Sequence, residues 1–304
     1  MPSQGRRATL AQVAERAGVS TMTASYAFGR PERVSAASRE RVLTAARELG
    51  YTGPDPSARS LRQGRAGALG VVLGEHLTYA FDDPQAAAFL AGIAEVCAAA
   101  GTAMTILPVV DSAEDVGRVA AAAVDGLVLW TTYDDSPVVR AALATGRPVV
   151  VHGGPAVDGA TLVGIDDRAA ARAVGRLVLA GAAHPAVLAF PTTAERAVVL
   201  TTGPDPDAAT FPVTRARLLG YRDAAQDLGL EWSRVRVATC TTNSAVEAHA
   251  QAGRLLEEGP VDAVAAMSDQ LALGVLGALA DRGRAVPGDV AVSGWDDSPV
   301  AAER

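Results

Sequence analysis

Apolar residues at Leu10, Val13, Ala14 and Ala17 recur at i, i+3, i+4 and i+7, which predicts one face of a short amphipathic helix. Gly18-Val19 breaks that rhythm, and Ser20 stands where a second helix wants an N-cap, so a second helix is expected from about Thr21 to Phe28. Ser35 can cap a third helix, with Val42, Leu43, Ala46 and Leu49 as its apolar stripe and Gly50 as its stop. Residues 51–67, YTGPDPSARSLRQGRAG, are punctuated by Pro and Gly as a linker is, with room in PSARSLRQ for two helical turns.

From residue 68 the pattern changes: short apolar runs alternate with longer helical stretches. Strands are expected at 68–73, 103–110, 126–130, 148–152, 186–190, 235–239, 261–267 and 289–295. Helices fall between most of them, including 84–100, 168–181, 215–229, 244–258 and 269–282. Apolar runs without strict alternation indicate strands buried on both faces, hence a parallel sheet covered by helices. The chain therefore reads as a small helical head followed by an α/β body. No apolar run exceeds eight residues, and a membrane span needs about 20.

Charge divides the chain at the same place. Residues 1–65 hold eleven arginines against five acidic residues, and the other 239 hold sixteen arginines against twenty-nine. A head of +6 joined to a body of −13 accounts for the net −7, with no lysine anywhere. A basic module on an acidic body is the electrostatic footprint of a nucleic-acid-binding unit attached to a domain with another task. The two cysteines and four histidines show no metal-ligand spacing, and no disulfide framework, metal or cofactor is expected. The N-terminus has arginines but no apolar signal core, so the expected place is the cytoplasm.

An α/β sheet often carries an enzyme, yet the usual motifs are missing. A phosphate loop needs a lysine this chain lacks, and neither a dinucleotide glycine pattern nor a GxSxG elbow appears. The acid pairs Asp82-Asp83, Asp134-Asp135, Asp166-Asp167 and Asp296-Asp297 mostly follow predicted strands. There they suit hydrogen bonding to a ligand at the carboxyl ends of the sheet better than catalysis, with plain loop and helix-capping roles as the other reading.

Helix, glycine turn and second helix form a helix-turn-helix, whose second helix enters the major groove. TLAQVAERAGVSTMTAS, RVSAASRERVLTAARELGY and the linker PDPSARSLRQGR closely resemble the head and hinge of the lac repressor (LacI/GalR) family of bacterial transcription regulators. GALGVVLGE, RARLLGYRDAAQDLGL, DAVAAMSDQLALGVLGAL and VPGDVAVSGWDDSP resemble that family's effector-binding core, so the likeness runs along the whole chain. It implies an all-α helix-turn-helix head and a two-lobed α/β core like periplasmic binding proteins. The divisions are 1–50 for DNA binding, 51–66 for the hinge and 67–304 for the effector domain, with lobe 1 at about 67–182 plus the C-terminal end and lobe 2 at about 183–295. It further implies a homodimer on a pseudo-palindromic double-stranded operator, controlled by a sugar or nucleoside-like effector.

The resemblance places DNA contacts at Thr9, Ser20, Thr21, Met22, Thr23, Ser25 and Tyr26, and at Ala58, Arg59 and Leu61 of the hinge. Leu61 matches the family's wedge, which unstacks a base step in the minor groove. Tyr26 replaces an arginine usual in the family, and cannot make arginine's bidentate contact to guanine. For the effector the likeness picks Arg217, Asp296, Ser268 and Asp269, the last two standing where the family often has Asn-Asp. Position after strands alone adds Tyr79, Phe81, Asp83, Trp130, Tyr133 and Asp166, while Trp295 is assigned to packing. The chain ends at WDDSPVAAER, where the family normally continues with a return crossover to the first lobe; a truncation is expected from this. Two other readings stand beside the regulator: a solute-binding protein of the transport type, which would have a signal peptide and no DNA-binding head, and a sugar- or nucleoside-metabolising enzyme, which would need a nucleophile or phosphate motif.

Overall fold

The computed structural model describes residues 8–53, 64–74, 77–109 and 112–301, with backbone only for 77–79. The chain divides into two compact units, residues 1–66 and 67–304.

In the first unit, α1 (Leu10–Ala17), α2 (Thr21–Gly29) and α3 (Ala36–Glu48) enclose a core of Val13, Ala14, Ala17, Ala24, Ala27, Val42, Ala45 and Ala46. Alanine at most of these positions lets the helix axes approach closely. Each helix starts on a side-chain cap. Thr9 and Gln12 form a reciprocal capping box on α1, Ser20 Oγ accepts the Thr23 N–H of α2 at 3.1 Å, and Ser35 Oγ accepts the Ser38 N–H of α3 at 3.2 Å. Gly18 ends α1 at φ +63°, a left-handed conformation that only glycine adopts without strain. Leu43 and Leu49, expected in the stripe of α3, are half-buried and exposed; Ala45 takes the core place instead.

The second unit contains two five-stranded sheets. The first comprises β1 (Ala68–Leu73), β2 (Ala103–Pro108), β3 (Gly126–Trp130), β4 (Val149–His152) and β5 (Ala160–Val163), all parallel in the order β2-β1-β3-β4-β5. Its helices are α4 (Leu77–Asp82), α5 (Pro84–Ala99), α6 (Ala113–Ala121) and α7 (Pro137–Ala144). The second sheet comprises β6 (Pro185–Ala189), β7 (Leu200–Thr202), β8 (Arg236–Thr239), β9 (Ala263–Ala266) and β10 (Ala291–Ser293), in the order β10-β9-β6-β8-β7. Only β7 runs antiparallel to its neighbour. Around this sheet lie α8 (Asp167–Val178), α9 (Pro212–Asp227), α10 (Ala245–Glu257) and α11 (Asp269–Ala280).

The expected strands 68–73 and 126–130 are found at those bounds, 186–190 is found one residue earlier at the same length, and the others are shorter by one to four residues. Two strands were not anticipated. β5 has three of its four residues exposed, and β7 has three residues, so neither offers the continuous buried run that marks a central strand. The lobe boundary also moves. α8, counted with lobe 1 in the expected span 67–182, packs on the second sheet, where Ala171, Val178 and Leu179 join its core. The helix pair α8/α9 is tight because Gly220 faces the α8 backbone: a Cβ there would lie 2.4 Å from the Arg168 carbonyl oxygen. Bidentate ion pairs Arg168–Asp223 and Arg172–Asp227 run along the same two helices.

Candidate effector cleft and nucleic-acid interface

The carboxyl ends of strands from both sheets open onto a cavity of about 390 Å³, within the range of small-ligand sites. Trp130 and Thr131 follow β3, His152 and Gly153 close β4, and Val163 to Ile165 extend from β5. Asp83 and Gln85 stand at the start of α5, and Asp167 at the start of α8. From the other sheet come Phe190 after β6, Asn243 after β8, Trp295 and Asp296 after β10, and Phe211, Thr214 and Arg217 at the start of α9.

Arg217 organises the floor of the cleft. It is only 7% exposed, and its Nε donates to Asp167 Oδ1 at 2.9 Å while Nη1 donates to the Met267 carbonyl oxygen. The guanidinium lies 3.9 Å from the Trp295 ring centroid and 5.5 Å from that of Phe190. Trp295, expected as packing, is thus a wall of the cleft. Asp296 is held beside it at φ +97°. Burial pushes its carboxyl up to about 6, with Arg217 opposing and Asp269 and Asp83 adding to the rise. His152 also lines the cleft; burial lowers its pKa, Asp167 opposes this, and its Nδ1 is buried with no hydrogen-bond partner. Among the described residues, the non-glycine positions with positive φ are Thr131, Asp135, Arg196, Asp296 and Asp297. Three of these line the cleft and the other two adjoin its loops, as expected where strain is retained for binding.

Of the residues expected at the effector site, Asp83, Trp130, Arg217 and Asp296 come together in the cavity wall. The rest are placed elsewhere. Asp166 caps α8 by accepting the Ala169 N–H at 2.9 Å, and its neighbour Asp167 faces the cleft instead. Asp269 is spent on the backbone: its carboxylate accepts the Trp295 and Ser298 N–H groups at 2.9 and 2.7 Å, which fixes the turn carrying Asp296. Gly294 is required in that turn, because a Cβ would fall 2.4 Å from Asp269 Oδ1. Ser268 caps α11 and donates to Asn243 Oδ1 rather than reaching the cavity. Phe81 is 65% exposed and outside the wall. Tyr133 packs edge-on against Phe211 at 5.5 Å, and of this pair it is Phe211 that lines the cavity. The side chain of Tyr79 lies outside the described residues. Sequence reading missed Asp167, Phe190, Arg196, Phe211 and Asn243. Phe211 immediately before Pro212 at a helix start was the available signal for one of them.

In the head, α2 turns Ala24 and Ala27 inward, while Thr21 and Met22 are exposed, Met22 by 64%. Ser25 and Tyr26 are half-buried on the intervening faces, and the Arg33 guanidinium sits 5.8 Å from the Tyr26 ring centroid. Thr9, Ser20 and Thr23 are engaged in caps, which leaves them at helix N-termini suited to phosphate oxygens. Ala58, Arg59 and Leu61 lie outside the described residues. Among the described residues no helix is long and apolar enough to cross a membrane.

Comparison with known proteins matches residues 9–54 to bacterial regulatory proteins of the lacI family, and 192–304 to a periplasmic binding protein-like domain. An HTH-type transcriptional regulator of Mycobacterium tuberculosis is 38% identical, over 100% of this chain and 86% of that one. The HTH-type transcriptional regulator IpsA of Corynebacterium glutamicum is 36% identical, over 97% and 84%. The solved complex of the transcriptional regulator CelR with cellobiose superposes with a TM-score of 0.62 at 29% identity, covering 98% of this chain and 85% of that one. With such relatives along its length and a matching helix-turn-helix head, the chain belongs to the lacI family of bacterial regulatory proteins, which are DNA-binding transcriptional regulators and not enzymes.

Proposed function

We propose that this regulator is controlled by a neutral polyhydroxylated small molecule, a sugar, bound in the cleft of residues 67–304. The observation that carries this reading is the way the cleft's charges are engaged. Arg217 is committed to Asp167 and the Met267 carbonyl, and Arg196 donates to the carbonyl oxygens of Gly74 and Thr241 at 3.0 and 3.1 Å. The carboxylates of Asp83, Asp167 and Asp296 outnumber these two cations in the wall, which disfavours an anionic ligand. Carboxylates accept hydrogen bonds from hydroxyl groups, and Trp130, Phe190, Phe211 and Trp295 offer faces for the C–H side of a sugar ring. The cellobiose bound to CelR supports the same ligand class.

On the DNA side, residues 1–50 dock on the operator and 51–66 form the hinge, in the cytoplasm, as a homodimer whose two heads read a pseudo-palindromic site and repress. Thr21, Met22 and Tyr26 read base edges, Thr9, Ser20, Thr23 and Ser25 position the helix on phosphates, and Leu61 with Ala58 and Arg59 opens the central minor groove. The ligand acts through its differential affinity for two lobe arrangements, typically about 1–3 kcal/mol of coupling. The test is a thermal-shift screen of the full chain against neutral sugars, sugar phosphates and sugar acids. Stabilisation by a neutral sugar, lost in Asp296→Ala, supports the reading. Stabilisation only by anionic compounds overturns it.

A further inference from the structure

The two lobes are joined across the cleft by direct hydrogen bonds. Arg196, after β6, reaches the Gly74 carbonyl after β1; Arg215 of α9 donates to Asp134 Oδ2 at 2.5 Å; and the Asp134 N–H donates to the Thr210 carbonyl at 3.0 Å. The contact nearest the ligand space is different in kind, because both partners line the cavity: Asn243 Nδ2 donates to Asp83 Oδ2 at 3.0 Å.

Both ends of that bond are fixed from behind. Glu247, in the first turn of α10, accepts the N–H and hydroxyl groups of both Thr241 and Thr242 at 2.6 to 3.0 Å, which clamps the loop leading to Asn243. Ser268 Oγ donates to Asn243 Oδ1, so the amide has one orientation, with its nitrogen toward the opposite lobe. Ser268 in turn is locked as the cap of α11, accepting the Leu271 N–H at 3.0 Å. On the other side Asp83 caps α5, its Oδ1 accepting the Gln85 N–H at 2.9 Å, and it is 4% exposed. A charge-assisted hydrogen bond between two such pre-oriented groups is stronger than a neutral one.

We propose that Asn243 is the positioning residue that sets the closed arrangement of the lobes: its amide, held by Ser268 and the Glu247-clamped loop, latches onto Asp83 across the ligand space. The latch joins the capping residue of α5 in one lobe to that of α11 in the other through a single side chain. It thereby fixes how far apart Trp130 and Trp295, which stand on opposite sides of the cavity, are held.

The experiment is acrylamide quenching of tryptophan fluorescence in the full chain, with no sugar added, so its failure is separable from failure of the sugar reading. Trp130 and Trp295 line the cleft, whereas Trp232 is tied to the Pro204 carbonyl away from it and supplies a constant background. Asn243→Asp is isosteric and sets a carboxylate against Asp83. It should shift the open-to-closed ratio at least about tenfold and raise the quenching constant, with Asn243→Ala giving a smaller rise. In an Asp83→Ala background, Asn243→Ala should add nothing further. Circular dichroism confirms that each variant is folded; the isosteric variant decides should the alanine variant not fold. Quenching unchanged in Asn243→Asp, or effects of Asn243→Ala and Asp83→Ala that simply add, would overturn the proposal.

Discussion

In the head, one nine-residue helix buries Ala24 and Ala27 and presents Thr21 and Met22, so its inward and outward faces are both set within one short segment. In the cleft, Arg217 is held by Asp167, 50 residues before it, and by Met267, 50 residues after it. Thr21 and Met22 of the head are exposed, whereas charged groups of the cleft, Arg217 and Asp83, are already bonded to Asp167 and Asn243. The difference teaches that substitution on the exposed face of the head should leave folding stability nearly unchanged, whereas removing one member of the bonded Arg217–Asp167 pair in the cleft should not.

The largest expected effect tests the division itself. DNA affinity of the full chain should fall about 10³–10⁵-fold between 50 and 200 mM salt if six to ten phosphates are contacted. Protein lacking residues 1–66 should retain no measurable binding in gel-shift titration, yet keep its ligand-induced thermal shift. Binding by the shortened chain would break the comparison.

Next in size is Arg217→Ala, which strips the partner from Asp167 and leaves a carboxylate with little access to water. Breaking a buried pair in this way costs about 3–5 kcal/mol, readable as a lower urea midpoint for the body. Non-specific DNA binding by the head should be unchanged, since the arginines responsible lie elsewhere. A stability loss below about 1 kcal/mol would show that Arg217 is not the organiser of the cleft.

These two cases also show what was legible in the chain. In the head the α1 face and the caps Ser20 and Ser35 were local signals, but the α3 stripe was half misread, with Ala45 in the core in place of Leu43 and Leu49. The central strands β1 and β3 were legible as continuous apolar runs, but exposed β5 and three-residue β7 carry no such run. Arg217 and Asp296 came from likeness to a family, not from periodicity. Which of Asp166 and Asp167 faces the cleft depends on where α8 begins, because a shift of one residue exchanges the helix cap for the partner of Arg217. Arg196 and Asn243 lie in loops whose meaning appears only when the second lobe is set against the first.

A smaller effect comes from Asp296. Its carboxyl is raised from 3.8 to about 6, so between those values the folded protein keeps a proton that the unfolded chain has released. Stability should therefore be greatest below about pH 4 with respect to this group and fall by about 3 kcal/mol as pH rises through 6. Asp296→Asn should flatten that slope and stabilise the protein at pH 7. Equal slopes for wild type and variant in urea melts across pH 4 to 7 would contradict this account of the site.

The smallest stability change belongs to Met22→Ala on the open face of α2. Its melting should stay within about 0.5 kcal/mol of wild type, while the fragments it selects from a random DNA library change at the half-site. An unchanged preference would move base reading away from Met22.

The link between the two regions is tested most directly with a genomic fragment recovered by the full chain, titrated by fluorescence anisotropy with and without the neutral sugar that stabilises the protein. The expected result is a sugar-dependent change in affinity of about 5–150-fold for the wild-type chain, absent in Asp296→Ala, which should still bind the fragment as the sugar-free wild type does. A sugar that shifts the melting temperature but leaves fragment affinity untouched in the wild-type chain would contradict it.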